Sequence, residues 1–419
     1  MARLYFGTDG VRGVVGEDLT AELVERLGRA AALWSGGGRV FVGRDTRSSA
    51  PMLEAAFAEG VASAGGNAVL GGVLPTPAVA LLTLDLAAVI SASHNPPEYN
   101  GVKFFDQDGQ KLTDASEEEM EALLDEPPRS DRGAIERVES SADGYLEHVL
   151  ERFGSDLSGL RVAVDCGNGA YSAIAPKAFE RLGADVLPLA AEPDGLNINV
   201  GCGATDLSLL QSHAGGYDLG VAFDGDGDRM LAVDAEGNTV DGDQILALLA
   251  LHLEVDVIVV TVMTNLGFHR LMEEHGIRVV TTDVGDRYVL EALRREGAIL
   301  GGEQSGHIIC LDGHVTGDGL AAALLLCRSL EGRTLADAAA VMPKFAQVKE
   351  NVPARNQHLS GDLREEIARV NAELDGTARV LVRPSGTEPL IRVLAEAQDE
   401  AEAARLCGTI SALVRRELG

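Results

Sequence analysis

Arg39–Gly43 (RVFVG) followed by Ser49–Ala64 (SAPMLEAAFAEGVASA) reads as a buried strand running into a helix, and that unit decides the fold because it recurs. Asn67–Leu70 and Ala87–Ile90 read as further strands of the same group. The rhythm returns at Leu160–Asp165, a helix around Ala173–Leu182, and Ala184–Leu189. It returns again at Val255–Val262, Leu266–His275 and Ile277–Thr281. Three repeats of about a hundred residues each predict three α/β domains with mixed, mostly parallel sheets. Identity between the repeats is too weak to call a duplication. After Lys344 the pattern changes to a strand-like stretch, a helix at Leu363–Leu374, a strand at Thr377–Arg383, a Pro–Gly turn, the strand Leu390–Glu396 and a final helix. That order predicts a smaller C-terminal α+β domain. The expected domains are 1–142, 143–240, 241–345 and 346–419, and the polar stretch Asp114–Arg132 reads as a surface helix and a turn.

A chain of 419 residues exceeds one core and divides into about three or four domains. A hydrophobic content of 46% describes an ordered globular protein. Met1–Arg12 carries Arg, Asp and Gly and does not read as a targeting segment. The most apolar stretch, Ile245–Met263, is broken by His252, Glu254 and Asp256, so no membrane span or membrane partner is expected. Cys166, Cys202, Cys310, Cys327 and Cys407 lie far apart without a Cys-x-x-Cys, which fits a reducing cytoplasm better than a zinc site or disulfides. A net charge of −30 argues against a nucleic-acid partner and would repel an anionic substrate at long range, although salt screens beyond about 8 Å. Any phosphate must therefore be held by local cations and backbone amides. Only five of the 35 basic residues are lysines, which draws attention to Lys103.

Ser91–Ala92–Ser93–His94–Asn95–Pro96 places a hydroxyl at a strand end, and no Gly-x-Ser-x-Gly elbow is present. Ser93 reads either as a nucleophile or as a turn-capping hydroxyl, and His94 can fix the loop without being the base. Asn100–Gly101 signals a turn that would fold Lys103 back towards Ser93, where nearby cations would lower its pKa and suit it to act as a base. A surface lysine is the other reading, but the flanking Val102, Phe104 and Phe105 point to a partly enclosed position. Asp224–Gly225–Asp226–Gly227–Asp228–Arg229 offers three carboxylates able to converge on one hard cation. An EF-hand would need Gly and Glu where Arg229 and Ala235 stand. A solvated acidic turn is the other reading, but Val221–Phe223 and Met230–Val233 flank it as buried segments. A serine matched with a carboxylate-bound divalent ion suits phosphoryl transfer. Phe6–Gly13 (FGTDGVRG) and Arg383–Pro389 (RPSGTEP) with Arg392 read as phosphate cradles or as ordinary turns, and Gly301–His307 (GGEQSGH) offers a carboxylate and a hydroxyl for sugar hydroxyls. No Walker loop or Gly-x-Gly-x-x-Gly opens a helix, which counts against nucleotide use.

In order along the chain, FGTDGVRG, SASHNP with NGVKFF, DGDGDR, GGEQSGH and RPSGTEPLIRV resemble the α-D-phosphohexomutase superfamily, with TVMTNLGF and VGDRYVLEAL adding to the likeness. The resemblance implies a heart-shaped, four-domain isomerase with a central cleft. It implies that Ser93 is a phosphoserine and that Asp224, Asp226 and Asp228, with the Ser93 oxygen, hold one Mg²⁺. Lys103, Arg12 and His307 match proton-transfer or supporting positions, and Arg229 follows the acidic trio. Glu303 and Ser305 match the sugar-reading pair, and Arg383, Ser385, Gly386, Thr387 and Arg392 the clamp on the non-reacting phosphate. Val11, Val102 and Pro97–Glu98–Tyr99 depart mildly from the usual pattern. The implied reaction interconverts hexosamine 6- and 1-phosphates through a 1,6-bisphosphate, with a bisphosphosugar or autophosphorylation priming Ser93. Gln304 favours the glucosamine branch, and mannose or glucose phosphates are the alternative. A cytoplasmic monomer or homodimer is expected.

Overall fold

The computed structural model describes residues 4–7, 9–138, 141–354, 358–385 and 389–418, which form four sheets. In the first, the strands lie in the order Val11–Val14, Tyr99–Asp106, Leu86–Ile90, Arg39–Arg44, Asn67–Val73, Ile135–Arg137. The last four are parallel to one another, and the first three are antiparallel. Leu86–Ile90 (LAAVI) is buried at every position, as a strand covered on both faces must be. The helices Ala21–Trp34 and Ala50–Ser63 cross closely, since a Cβ on Gly60 would stand 1.9 Å from the Glu25 carbonyl oxygen.

The second sheet runs Thr239–Val240, Met230–Asp234, Leu219–Phe223, Arg161–Asp165, Asp185–Leu189, and the third Arg278–Thr282, Val257–Thr261, Leu300–Gly302, Ile308–Cys310. Each of these three sheets is mixed for one reason: a strand with a parallel neighbour is followed directly by an antiparallel return. The pairs are Leu86–Ile90 with Tyr99–Asp106, Leu219–Phe223 with Met230–Asp234, and Leu300–Gly302 with Ile308–Cys310. The connecting loops carry Ser93, the acidic trio and Glu303 respectively. The chain thus comprises three α/β domains with mixed sheets and a smaller C-terminal α+β domain.

Asn100–Gly101 is not the turn its composition predicts, because both residues lie within the strand Tyr99–Asp106. The Asn100 side chain accepts from Gly101 N at 2.8 Å and donates to Ser49 Oγ at 3.0 Å. A Cβ on Gly101 would meet the Ser91 carbonyl oxygen at 2.7 Å, so glycine answers a close approach in mid-strand. The chain reverses over 91–98 instead, which pairs Lys103 with Val89.

By packing, the chain divides into two compact units: Met1–Val262 with Arg278–Ala340, and Met263–Ile277 with Val341–Gly419. The first holds the three α/β sheets. The second holds an antiparallel sheet, Ala346–Pro353, Leu390–Ala397, Arg379–Pro384, with the helices Gly361–Leu374 and Glu400–Leu418. Its core joins Val380, Ile391, Val393 and Ala395 to Leu406, Ile410 and Val414. The helix Leu266–Glu274 is tied in by its cap, Asn265, whose amide donates to Phe345 O at 2.9 Å and accepts from Phe345 N at 3.0 Å. No helix among the described residues is long and apolar enough to cross a membrane.

Candidate active site

Ser93 stands in the left-handed region at φ 52°, a conformation that costs a serine about 1–3 kcal/mol and needs enforcement. Arg47 enforces it. Its fully buried guanidinium donates to Ser93 O at 2.9 Å, Asn95 O at 2.8 Å, Tyr99 O at 3.0 Å and also to Pro96 O. Asp45 receives Arg47 Nε at 2.9 Å and Ser91 Oγ at 2.6 Å, and Ser91 Oγ accepts from Ser93 N at 3.0 Å. Burial pushes the Asp45 carboxyl up, and Arg47 only partly offsets it. Ser93 Oγ donates to Asp224 Oδ2 at 2.6 Å and lies 3.2 Å from His94 Nδ1. Burial, helped by Arg229 and Arg12, pushes His94 down to about 4, leaving a neutral imidazole that fixes the hydroxyl.

Asp224, Asp226 and Asp228 are buried, with one oxygen from each lying within 4.8 Å of the others. Burial and the other two carboxylates push Asp224 well up. Asp226 Oδ2 accepts from Thr76 Oγ1 at 2.7 Å and Lys103 Nζ at 2.8 Å, while Asp226 Oδ1 and Asp228 Oδ1 are buried without a hydrogen-bond partner among the described residues. Unsatisfied oxygens in an all-carboxylate set, with a serine hydroxyl alongside, fit a hard divalent ion such as Mg²⁺.

Asp228 belongs to a closed ring of alternating acidic and basic side chains. Lys103 Nζ lies 3.2 Å from Asp9 and 3.5 Å from Asp228; Asp9 accepts from Lys111 at 2.7 Å, and Lys111 also pairs with Asp286. His307 closes the ring, its Nε2 3.6 Å from Asp286 and its Nδ1 3.6 Å from Asp228. Arg12 pairs with Asp9 outside the ring. The expected lowering of the Lys103 pKa does not occur. Burial and Arg12 do lower it, but Asp226, Asp9 and Asp228 outweigh them and raise it, so Lys103 is an ammonium in this arrangement. Burial likewise lowers His307, and Asp228 and Asp286 more than reverse it.

A cavity of about 330 Å³ opens over Ser93, lined among others by Arg12, Asp228, Arg229, Asp286, Glu303 and His307. Glu303 is aimed by Gly285 N, which donates to Oε1 at 2.9 Å, and Ser305 Oγ lies 3.4 Å from Oε2. Arg229 N donates to Asp224 Oδ1 at 3.2 Å. Gln304 donates to Asp243 at 3.1 Å. In the second unit, Arg383 and Arg392 face each other across paired strands and line a separate cavity of about 290 Å³ with Lys349 and Asn351; Arg392 donates to Ser385 Oγ at 3.3 Å. Gly386 and Thr387 lie outside the described residues.

Sequence reasoning gave no role to Arg47, Asp45, Thr76, Asp9, Lys111 or Asp286. Asp9 and Asp286 stood inside quoted motifs, and Lys111 is as scarce a residue as Lys103, but spacing alone does not separate them from surface charges.

The fold and this site define a phosphohexomutase. The chain belongs to the phosphoglucomutase/phosphomannomutase family of isomerases: its alpha/beta/alpha domain I profile matches residues 3–129, domain II 143–237, domain III 241–345 and the C-terminal domain 331–413. Among curated relatives, the phosphoglucosamine mutase of Pelotomaculum thermopropionicum is 48% identical, covering 98% of this chain and 99% of that protein. The phosphoglucosamine mutase of Symbiobacterium thermophilum is also 48% identical, over 99% of each. A solved phosphoglucomutase/phosphomannomutase family protein from Burkholderia thailandensis superposes with a TM-score of 0.85 at 26% identity, covering 98% of this chain and 97% of that one.

Proposed function

We propose that the chain interconverts glucosamine 6-phosphate and glucosamine 1-phosphate, with Ser93 as a temporary phosphate carrier. The observation that carries the reading is Ser93 Oγ, 2.6 Å from Asp224 within a buried trio of carboxylates. Full-length relatives named phosphoglucosamine mutase support the sugar.

Phosphorylated Ser93 gives its phosphoryl group to the free hydroxyl of the bound sugar phosphate: the Ser93 oxygen–phosphorus bond breaks, a sugar oxygen–phosphorus bond forms, and the hydroxyl proton passes to the protein. The bisphosphate turns end for end, and the opposite phosphate returns to Ser93. A Mg²⁺ ion held by Asp224, Asp226, Asp228 and the Ser93 oxygen would neutralise charge on the moving group. Asp9 and Asp228 keep Lys103 beside the trio, and Asp286 with Asp228 holds His307 on the other side of Asp228; these two are the proposed proton carriers, with Arg12 as their supporting cation. Lys103 is an ammonium beside the bare carboxylates, and a cation bound by the trio would offset their charge and free Lys103 to give up its proton and take the hydroxyl's. Glu303 and Ser305 would grip hydroxyls presented alike in both orientations. Arg383, Ser385 and Arg392, with Gly386 and Thr387, would hold the phosphate that is not reacting. Ser93 would first be charged by a bisphosphosugar or by autophosphorylation. Five buried, unpaired cysteines accord with a cytoplasmic setting.

Comparing kcat/KM for glucosamine 6-phosphate, mannose 6-phosphate and glucose 6-phosphate tests the assignment. Preference for the amino sugar is the expected outcome; equal or better turnover of either neutral sugar would move the chain to another branch of the family.

A further inference from the structure

Packed against the acidic loop, and not among the residues that line the cavity, lies a buried cluster that the proposed chemistry does not use. Tyr145 and Tyr171 are fully buried with their hydroxyl oxygens 2.6 Å apart. Tyr145 donates to Asp318 Oδ2 and Tyr171 to Asp318 Oδ1, each at 2.8 Å. His314 Nε2 lies 3.0 Å from the same carboxylate, and His148 Nε2 lies 3.2 Å from His314 Nδ1, nearer the surface. Burying two phenols and a carboxylate costs more than burying phenylalanines and leucine, so packing alone does not account for them.

The cluster sits between the two anchors of the acidic loop. Gly225 O accepts from Ala170 N at 2.9 Å, and Ala170 immediately precedes Tyr171. Gly227 O accepts from Gly319 N at 3.0 Å, and Gly319 immediately follows Asp318. The Tyr171 ring is the floor of the loop: a Cβ on Gly227 would meet its Cε2 at 2.4 Å, and the ring packs 4.8 Å from that of Phe223. Asp318 also caps the helix Gly319–Ser329 through Ala321 N at 2.9 Å, which fixes its own position. Three converging carboxylates repel one another, so the loop needs a template outside itself to stay converged. The two tyrosine hydroxyls and the Asp318 carboxylate, all buried and hydrogen-bonded to one another, supply such rigidity.

We propose that Tyr171, clamped by Tyr145 and Asp318, is a positioning residue for the acidic loop and sets how tightly Asp224, Asp226 and Asp228 hold their cation. The inference rests on the reading of that loop as a magnesium site. Calorimetric titration of the full-length protein with MgCl₂ tests it in wild type, Tyr171→Phe and Asp318→Asn. Both variants are expected to bind Mg²⁺ about tenfold more weakly, while KM for glucosamine 6-phosphate at saturating Mg²⁺ stays at the wild-type value. Wild-type Mg²⁺ affinity in a folded Tyr171→Phe protein would overturn the inference, even if its melting temperature falls, because the network would then serve stability alone. Tyr171→Phe keeps the ring, so it decides the matter should Asp318→Asn fail to fold. A wild-type chain that takes up no Mg²⁺ overturns the magnesium reading itself and the inference with it, a result distinct from wild-type uptake with unchanged variants.

Discussion

Arg47 decides where Ser93 stands without lining the cavity. Its guanidinium satisfies carbonyls at 93, 95, 96 and 99 and neutralises a carboxylate as deeply buried as itself. Replacing it by methionine would strand the Asp45 charge and release the loop that holds Ser93 at positive φ. Arg47→Met should therefore lose about 3–5 kcal/mol in chemical denaturation, and kcat should fall with it. Loss of less than about 1 kcal/mol, the range of a surface pair, would contradict this account of the loop. At this scale the sequence was unevenly legible. Ser93 announced itself by standing at the end of an apolar strand, and the trio by its alternation with glycine. Arg47, Asp9, Lys111 and Asp286 matter through partners as many as 175 positions away, which no local pattern records.

Among the elements, strands and helices were legible because hydrophobic rhythm is local, and their pairing directions were less so. Asn100–Gly101 has the composition of a turn yet sits in mid-strand, since the reversal is set by Arg47 and by Ser91 rather than by the dipeptide. The antiparallel returns that present all three functional loops of the first unit follow from it and its counterparts. In the second unit, the helix Leu266–Glu274 carries a titration of its own. Burial, assisted by Arg379, pushes His269 down to about 4, and its Nε2 is buried without a hydrogen-bond partner among the described residues. The folded state thus keeps His269 neutral where the unfolded chain binds a proton. Stability should hold above about pH 6.5 and fall by up to about 3 kcal/mol as the pH drops towards 4. Glu396, raised by burial, works in the opposite sense, so the difference between wild type and His269→Leu isolates the histidine. The variant should show a flatter acid limb in pH-dependent denaturation; an unchanged limb would place the proton elsewhere.

For the molecule as a whole, the order of motifs pointed to the family, and three of them, SASHNP, DGDGDR and GGEQSGH, lie between a strand and its antiparallel return. The division of packing into two units, with 263–277 joined to 341–419, was not legible, since it depends on Asn265 reaching Phe345. With a net charge of −30, the chain must draw anionic substrate by local cations, and the first unit gathers Arg12, Lys103, Lys111 and Arg229 around the Ser93 site. All of this chemistry turns on one oxygen. Intact-mass spectrometry and turnover of wild type and Ser93→Ala, each incubated with a hexose 1,6-bisphosphate and Mg²⁺, address it most directly. The account predicts one added phosphoryl group on wild type, mapped to Ser93, and none there on the variant, whose turnover falls by at least about a thousandfold; a Ser93→Ala protein that turns over at the wild-type rate would contradict it.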